Sequence, residues 1–176
     1  MDLAGQHILV IGMGATGVAT ASFLGARGAR VSVTDEKPSA SRGPAYGDLL
    51  DKAWLLEAAY DESALAGVDR VVPSPGIAPH HPLLLAACRR GVPIMGEIEL
   101  AFRHIRAPIL AVTGTNGKTT TTTLLGQILA RAGKKVFVGG NIGTPLIAYA
   151  AGAQEEDVVV AEISSFQLQW IETFRP

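Results

Sequence analysis

Residues 7–17 read His-Ile-Leu-Val-Ile-Gly-Met-Gly-Ala-Thr-Gly, and Ala15 to Ala26 then has the Ala, Leu and Phe content of a packed helix. A short β-prone run that ends in glycines ahead of a helical composition predicts strand, tight turn, helix. The turn, Gly12-Met13-Gly14-Ala15-Thr16-Gly17, fits G-x-G-x-x-G. A second strand, Arg30 to Thr34, ends at Asp35, eighteen positions after Gly17. Glycines so placed let the backbone approach a diphosphate at the helix amino terminus, where free N–H groups and the helix dipole favour negative charge. The residues leave open which nucleotide is held.

Working outward, Lys37 to Gly47 is rich in Pro, Ser and Gly and reads as a loop. A helix near Gly47 to Leu56, a strand near Ala58 to Tyr60, a helical turn near Glu62 to Ala66 and a strand at Asp69 to Val72 follow. Pro82 to Arg90 then reads as a helix with Pro in its first turn, and Val92 to Met95 as a fifth strand. Strands alternating with helices argue for an α/β fold, a parallel sheet wrapped by helices, over residues 1–95. Residues 96–108 form a linker, in which Glu97 to Arg106 bridges onward. A second α/β unit occupies 109–176, with strands at Ile109 to Thr113, Lys135 to Val138 and Asp157 to Glu162 and a helix running through Arg131. Two or three strands are too few to cover both faces of a parallel sheet, so this unit is expected to be the truncated start of a larger domain, with apolar faces left exposed.

The second unit carries its own glycine turn, Thr113-Gly114-Thr115-Asn116-Gly117-Lys118-Thr119-Thr120. Its Gly-Lys-Thr ending is that of a phosphate loop: backbone N–H groups cradle phosphates, Lys118 neutralises charge and the Thr119 hydroxyl can ligate Mg²⁺. Two residues separate Gly114 from Gly117 where the common loop has four, so this is a shorter variant. Thr119 to Thr123 opens the following helix although β-branched residues are mediocre helix formers, a local rule broken where function would explain it. Glu162 ends the apolar run Val158 to Ala161. A carboxylate at the carboxyl end of a parallel strand faces the crevice where such folds bind ligands, and there it can hold Mg²⁺. Gly139 to Gly143 and Val72 to Ile77 also follow strands, and each is either a binding turn or a plain connection.

Composition narrows the classes. The chain has 176 residues, 48% hydrophobic and 18% charged, enough for one domain, or for two if one is small or incomplete. Fifteen basic against sixteen acidic residues give a net charge of −1, so no broad basic field exists to hold a nucleic acid or an anionic membrane. The one cysteine, Cys88, falls in an apolar helical stretch and reads as a small core residue in a reducing compartment. Trp54, Phe166 and Trp170 read as core aromatics. His7, His80, His81 and His104 form no zinc or nucleophile pattern and are assigned to surface or packing roles. With no basic leader and no run of membrane-spanning length, the chain is expected to be cytoplasmic and soluble; separately, it is expected to be a monomer.

Taken in order, Gly12 to Gly17, Ser74-Pro75-Gly76-Ile77, Gly96-Glu97-Ile98-Glu99-Leu100, Thr113 to Thr120, Gly140-Asn141-Ile142-Gly143 and Glu162-Ile163-Ser164-Ser165-Phe166-Gln167-Leu168 resemble the Mur ligases of bacterial peptidoglycan synthesis over the whole chain. The last two segments resemble the D-glutamate-adding branch. The resemblance implies a Rossmann-like first domain that holds the UDP part of a sugar nucleotide, followed by the start of a P-loop ATPase-like central domain. It places Gly14, Ala15, Thr16 and Gly17 at the diphosphate and uridine, Asp35, Glu36 and Lys37 near the uracil, Ser74, Pro75 and Gly76 beside the base, and Asn141 on the substrate. ATP falls to Gly114, Thr115, Asn116, Gly117, Lys118, Thr119 and Thr120, with Lys118 and Glu162 catalytic and Thr119 and Glu162 on Mg²⁺.

The implied reaction is ATP-dependent amide formation between UDP-N-acetylmuramoyl-L-alanine and D-glutamate through an acyl phosphate. A carbamylated lysine, a further histidine and a D-glutamate-binding domain are implied beyond residue 176. The chain alone is therefore expected to bind uridine nucleotides weakly and to leave ligation undone. Two other readings stand beside this one. An NAD-dependent oxidoreductase would account for Gly12 to Gly17 and Asp35 but not for the second loop, and a non-catalytic nucleotide-binding module would account for both.

Overall fold

The computed structural model describes residues 1–37, 44–50, 52–152 and 154–176. The chain divides into two units, Met1–Glu97 and Ile98–Pro176. In the first, β1 (His7–Ile11), α1 (Ala15–Gly25), β2 (Arg30–Thr34), α2 (Pro44–Leu50), β3 (Leu55–Glu57), β4 (Arg70–Pro73) and α3 (Pro82–Arg89) follow in order, and α4 (Glu97–Phe102) crosses the boundary. The four strands pair in parallel in the order β3-β2-β1-β4. The second unit adds β5 (Ile109–Val112), α5 (Lys118–Arg131), β6 (Val136–Gly140), α6 (Leu146–Ala151) and β7 (Val158–Glu162), again with parallel pairing, in the order β5-β7-β6. Both units are thus α/β with parallel sheets.

Central parallel strands are buried on both faces and read as unbroken apolar runs. Ile8 to Ile11 of β1 and Val159 to Ala161 of β7 are fully buried, and each lies at the middle of its sheet. The α1 helix packs close to the end of β1, because a Cβ on Gly17 would sit 1.9 Å from the Gly12 carbonyl oxygen. Gly12 itself has φ of +88°, a conformation open to glycine at little cost. At the opposite edge of the first sheet, His7 Nδ1 donates to the Gly67 carbonyl while Nε2 accepts from the buried Ser32 hydroxyl, a packing role for that histidine.

Several expectations are corrected. The fifth strand at Val92 to Met95 reduces to one parallel bridge between Val71 and Ile94, since Pro93 has no N–H to continue a ladder. The third strand lies at Leu55–Glu57 instead of 58–60, and the helix before it is Pro44–Leu50. Of the Lys37 to Gly47 loop, residues 38–43 lie outside the described residues, and α2 begins at Pro44. The 96–108 linker contains α4, and α6 was not anticipated. Cys88 is exposed: Leu83, Leu84, Ala86 and Ala87 turn inward, leaving Leu85 and Cys88 together on the outer face at i, i+3 spacing. Phe166 is 57% exposed and Trp54 and Trp170 are half-buried, so none of the three is a core aromatic. Trp54 lies against Gly25, where an added Cβ would meet its ring at 2.3 Å. The expected uncovered apolar surface is present: Leu124 and Ile128 of α5 are more than half exposed, and Leu110 on β5 and Val138 on β6 are exposed to a lesser degree.

One buried carboxylate organises the second unit. Glu99 on α4 is fully buried and accepts from the N–H groups of Glu172, Thr173 and Phe174, from the Thr173 hydroxyl at 2.6 Å and from Arg103 Nε at 2.7 Å. Burial alone raises its carboxyl, but the Thr173 hydroxyl, the Glu172 N–H, the Arg103 guanidinium and the Thr173 N–H outweigh it and lower the pKa from 4.5 to about 2. Residues 172–174 are so fastened to α4, with Phe174 edge-on to Phe102.

Two outcomes follow. Glu99→Ala strands several buried donors at once and should cost roughly 2–4 kcal/mol in chemical denaturation, read by Trp170 fluorescence in a Trp54→Phe background. Because the folded pKa lies below the ordinary one, the Glu99 contribution is complete above about pH 4.5 and declines as pH falls toward 2; the alanine variant should lack that component. Gly17→Ala drives a methyl into the Gly12 carbonyl and should lower the melting temperature of the first unit, at a cost of about 2 kcal/mol or more.

Candidate functional site

Parallel strands deliver their carboxyl ends to one edge, so the loops that follow them meet there. In the first unit these are the Gly12–Gly17 turn, Asp35 to Lys37 and Ser74 to Gly76. Gly14 caps α1 in an extended conformation with no side-chain hydrogen bond, and Ala15 and Thr16 form its first turn, where N–H groups lack partners within the helix. Ser74 Oγ donates to the Gly12 carbonyl at 2.7 Å, tying the β4 loop to the glycine turn. Asp35 Oδ2 accepts from the Met13 N–H and Oδ1 from the Lys37 N–H. The acid expected near the uracil therefore also fixes the glycine turn and its own loop. Glu36, Lys37 and Gly76 are exposed, and Ser74 and Pro75 half-buried. All the first-unit candidates stand at one sheet edge.

In the second unit, β5 runs into the phosphate loop, β6 runs into Gly140-Asn141, and β7 between them ends at Glu162. Gly114 and Gly117 have φ of +145° and +77°, which explains glycine at both places. Lys118 begins α5, and its Nζ donates back to the Gly114 carbonyl at 2.8 Å and the Thr115 carbonyl at 3.4 Å. Thr119 Oγ1 donates to Glu162 Oε2 and Asn141 Nδ2 to Glu162 Oε1, both at 2.7 Å. Gly140 permits this closeness, since a Cβ there would lie 2.4 Å from the Glu162 carbonyl oxygen. Thr115 and Asn116 are exposed on the loop, and Thr120 is exposed in the first turn of α5.

Glu162 is 2% exposed, and among the described residues its side-chain partners are a hydroxyl and an amide, both neutral. A buried carboxylate without a cation is costly unless one arrives. Carboxylate and hydroxyl oxygens are hard donors of the kind Mg²⁺ takes together with phosphate oxygens and water. Thr119 and Glu162 therefore fit a Mg²⁺–nucleotide, although no cluster of three or more His, Cys, Asp or Glu occurs among the described residues. Asn141, expected as a substrate contact, is drawn here into the Glu162 pair.

Sequence reasoning passed over two features. Glu99 appeared only inside a motif, with Arg103 four residues on as its one local signal. His81, set aside as a surface residue, accepts the Leu83 N–H at the start of α3 and bonds Tyr60 through Nε2 at 2.6 Å. Nothing in the local sequence pairs residues 60 and 81.

Comparison with known proteins accords with these units. Residues 6–96 match the model of the Mur ligase MurD-like N-terminal domain, and residues 112–175 that of the Mur ligase middle domain. A UDP-N-acetylmuramoylalanine–D-glutamate ligase from Syntrophus aciditrophicus is 56% identical over 99% of this chain and 39% of its own length. One from Geobacter metallireducens is 48% identical over the whole of this chain and 39% of its own. The chain thus spans about two fifths of these relatives. Among solved structures, the Neisseria meningitides UDP-N-acetylmuramate:L-alanyl-gamma-D-glutamyl-meso-diaminopimelate ligase aligns with a TM-score of 0.52 and 22% identity, over 93% of this chain and 56% of the other. At that identity it shows the shared fold alone. With family models matched to both units, the chain belongs to the Mur ligase family.

Proposed function

We propose that this chain supplies two nucleotide-handling units of an ATP-dependent ligase that joins UDP-N-acetylmuramoyl-L-alanine to D-glutamate. In this reading residues 1–95 hold the uridine diphosphate end of the sugar nucleotide and residues 109–176 hold the phosphates of ATP. The observation that carries it is the buried Glu162 carboxylate, shared by Thr119 of the phosphate loop and Asn141 and, among the described residues, without a cationic partner. A dehydrogenase has no use for such a site. The identity to ligases that carry those two substrates in their names supports the choice of substrates.

A carboxylate acylates an amine only after its oxygen has become a leaving group. ATP supplies the activating phosphoryl group, and Mg²⁺ offsets its charge. The chain's own residues prepare the place. Gly114 to Gly117 present backbone N–H groups, and Lys118 exchanges the loop carbonyls for phosphate oxygens, a stronger charged acceptor. Lys118 is an electrostatic clamp and not a base. Thr119 and Glu162 would hold the metal, with Asn141 keeping the carboxylate turned toward the loop. In the first unit, the free N–H groups at Ala15 and Thr16 receive a diphosphate, which leaves the nucleoside to extend toward Asp35.

Calorimetric titration of the chain tests both halves. UDP should bind and NADH should not; a preference for NADH overturns the first-unit assignment. Lys118→Ala should weaken ATP binding in Mg²⁺ by about tenfold or more, since a charged hydrogen bond contributes roughly 1.5–3 kcal/mol. Glu162→Gln should abolish the dependence of ATP binding on Mg²⁺ while leaving UDP binding unchanged.

A further inference from the structure

The Tyr60–His81 contact spans the first sheet. Tyr60 lies three residues beyond the end of β3 and His81 on the loop that leads from β4 into α3. The sheet order is β3-β2-β1-β4, so the two residues come from opposite sides and meet across the ends of β2 and β1. At about 4.8 Å per strand spacing, that is a reach of about 14 Å. Residues 58–60 hug the end of β2 on the way: the Ala58 N–H donates to the Val33 carbonyl, and Thr34 Oγ1 donates to the Ala59 carbonyl. The rings meet edge to face with centroids 5.3 Å apart, and the Tyr60 oxygen lies 2.6 Å from His81 Nε2.

The partners set the proton positions. His81 Nδ1 accepts the Leu83 N–H as the cap of α3, so in the neutral ring the proton sits on Nε2 and is donated to the Tyr60 oxygen. The phenol's own proton then remains for another acceptor. Burial, Glu36 and Asp35 each push the Tyr60 phenol above its ordinary value, so it keeps that proton. Burial and His80 hold His81 below its ordinary value against the pull of Glu36, so the neutral ring prevails at pH 7. The same interactions show that the pair sits at the Asp35–Glu36 end of the crevice. A diphosphate at the amino end of α1 sends its nucleoside toward that end in folds of this type.

We propose that Tyr60 is a specificity-determining contact for the base of a uridine nucleotide, with His81 as the positioning residue that clasps it across the crevice. This rests on the reading of the first unit as a uridine-nucleotide site. Among the described residues His81 is the phenol's hydrogen-bond partner, and a phenol whose proton is left to donate selects an oxygen acceptor. Uracil offers a carbonyl where cytosine carries an amino group with no lone pair to give, so the contact favours UDP over CDP.

The test is the ratio of UDP to CDP affinity, by calorimetry on the 176-residue chain at pH 7.5. Tyr60→Phe keeps the ring and removes only the hydroxyl; it should weaken UDP three- to tenfold and leave CDP nearly unchanged. His81→Asn keeps a helix-capping acceptor but drops the imidazole, and should lower the ratio by a smaller factor. Melting temperatures within a few degrees of the parent keep either change from being a folding effect. If Tyr60→Phe leaves the ratio within twofold of the parent, or weakens UDP and CDP alike, the base contact is overturned while the uridine site stands. A His81→Asn ratio equal to the parent's overturns the positioning role. Failure of the parent chain to bind UDP at all overturns the site and this contact with it.

Discussion

Parallel pairing is the constraint on which the rest of this structure depends. Each strand must be reached by a crossover, the crossovers are helices, and every strand therefore ends on the same edge as its neighbours. Each sheet brings its own glycine turn to its own such edge, ahead of α1 in the first unit and of α5 in the second. The chemistry is placed by topology before any side chain is chosen. Gly17 and Gly140 then let main chain approach main chain, and Asp35 and Glu162 fix the resulting loops from the neighbouring strands.

Two buried carboxylates in the second unit illustrate how surroundings divide structural from functional charge. Glu99 has three backbone N–H groups, a hydroxyl and the Arg103 guanidinium around it. Its charge is answered within the protein, and its effect is to hold residues 172–174 on α4. Among the described residues Glu162 has one hydroxyl and one amide as side-chain partners, neither of them charged. A carboxylate in the first condition belongs to the scaffold; one in the second is poised for a cation.

Much of this was legible in the sequence because it depends on short-range patterns. The runs at His7 to Ile11 and Val158 to Ala161, the turns at Gly12 to Gly17 and Gly114 to Lys118, and the helix ending at Arg131 each follow from a local rule of period, propensity or turn chemistry. The Glu162 placement was legible too, since a strand end beside a phosphate loop is a topological inference. What escaped depends on partners distant in the chain. Glu99 finds all its donors but Arg103 more than seventy residues on, and Tyr60 meets His81 only because β3 and β4 flank the sheet. The third strand was misplaced by three residues because Leu55 to Glu57 is too short to show alternation. Val92 to Met95 has strand composition, but Pro93 denies it a ladder.

Asp35 carries a consequence for how such a site changes over time. In dinucleotide folds an acid at this point reads a ribose hydroxyl; here its oxygens accept the Met13 and Lys37 N–H groups, so it is also part of the frame that shapes the turn. A substitution at Asp35 would be felt twice, once by the nucleotide proposed to lie beside it and once by the glycine turn that it holds in shape. Ligand preference and loop shape are joined in one residue, and a lineage that drifts toward another nucleotide must alter the turn and the acid together.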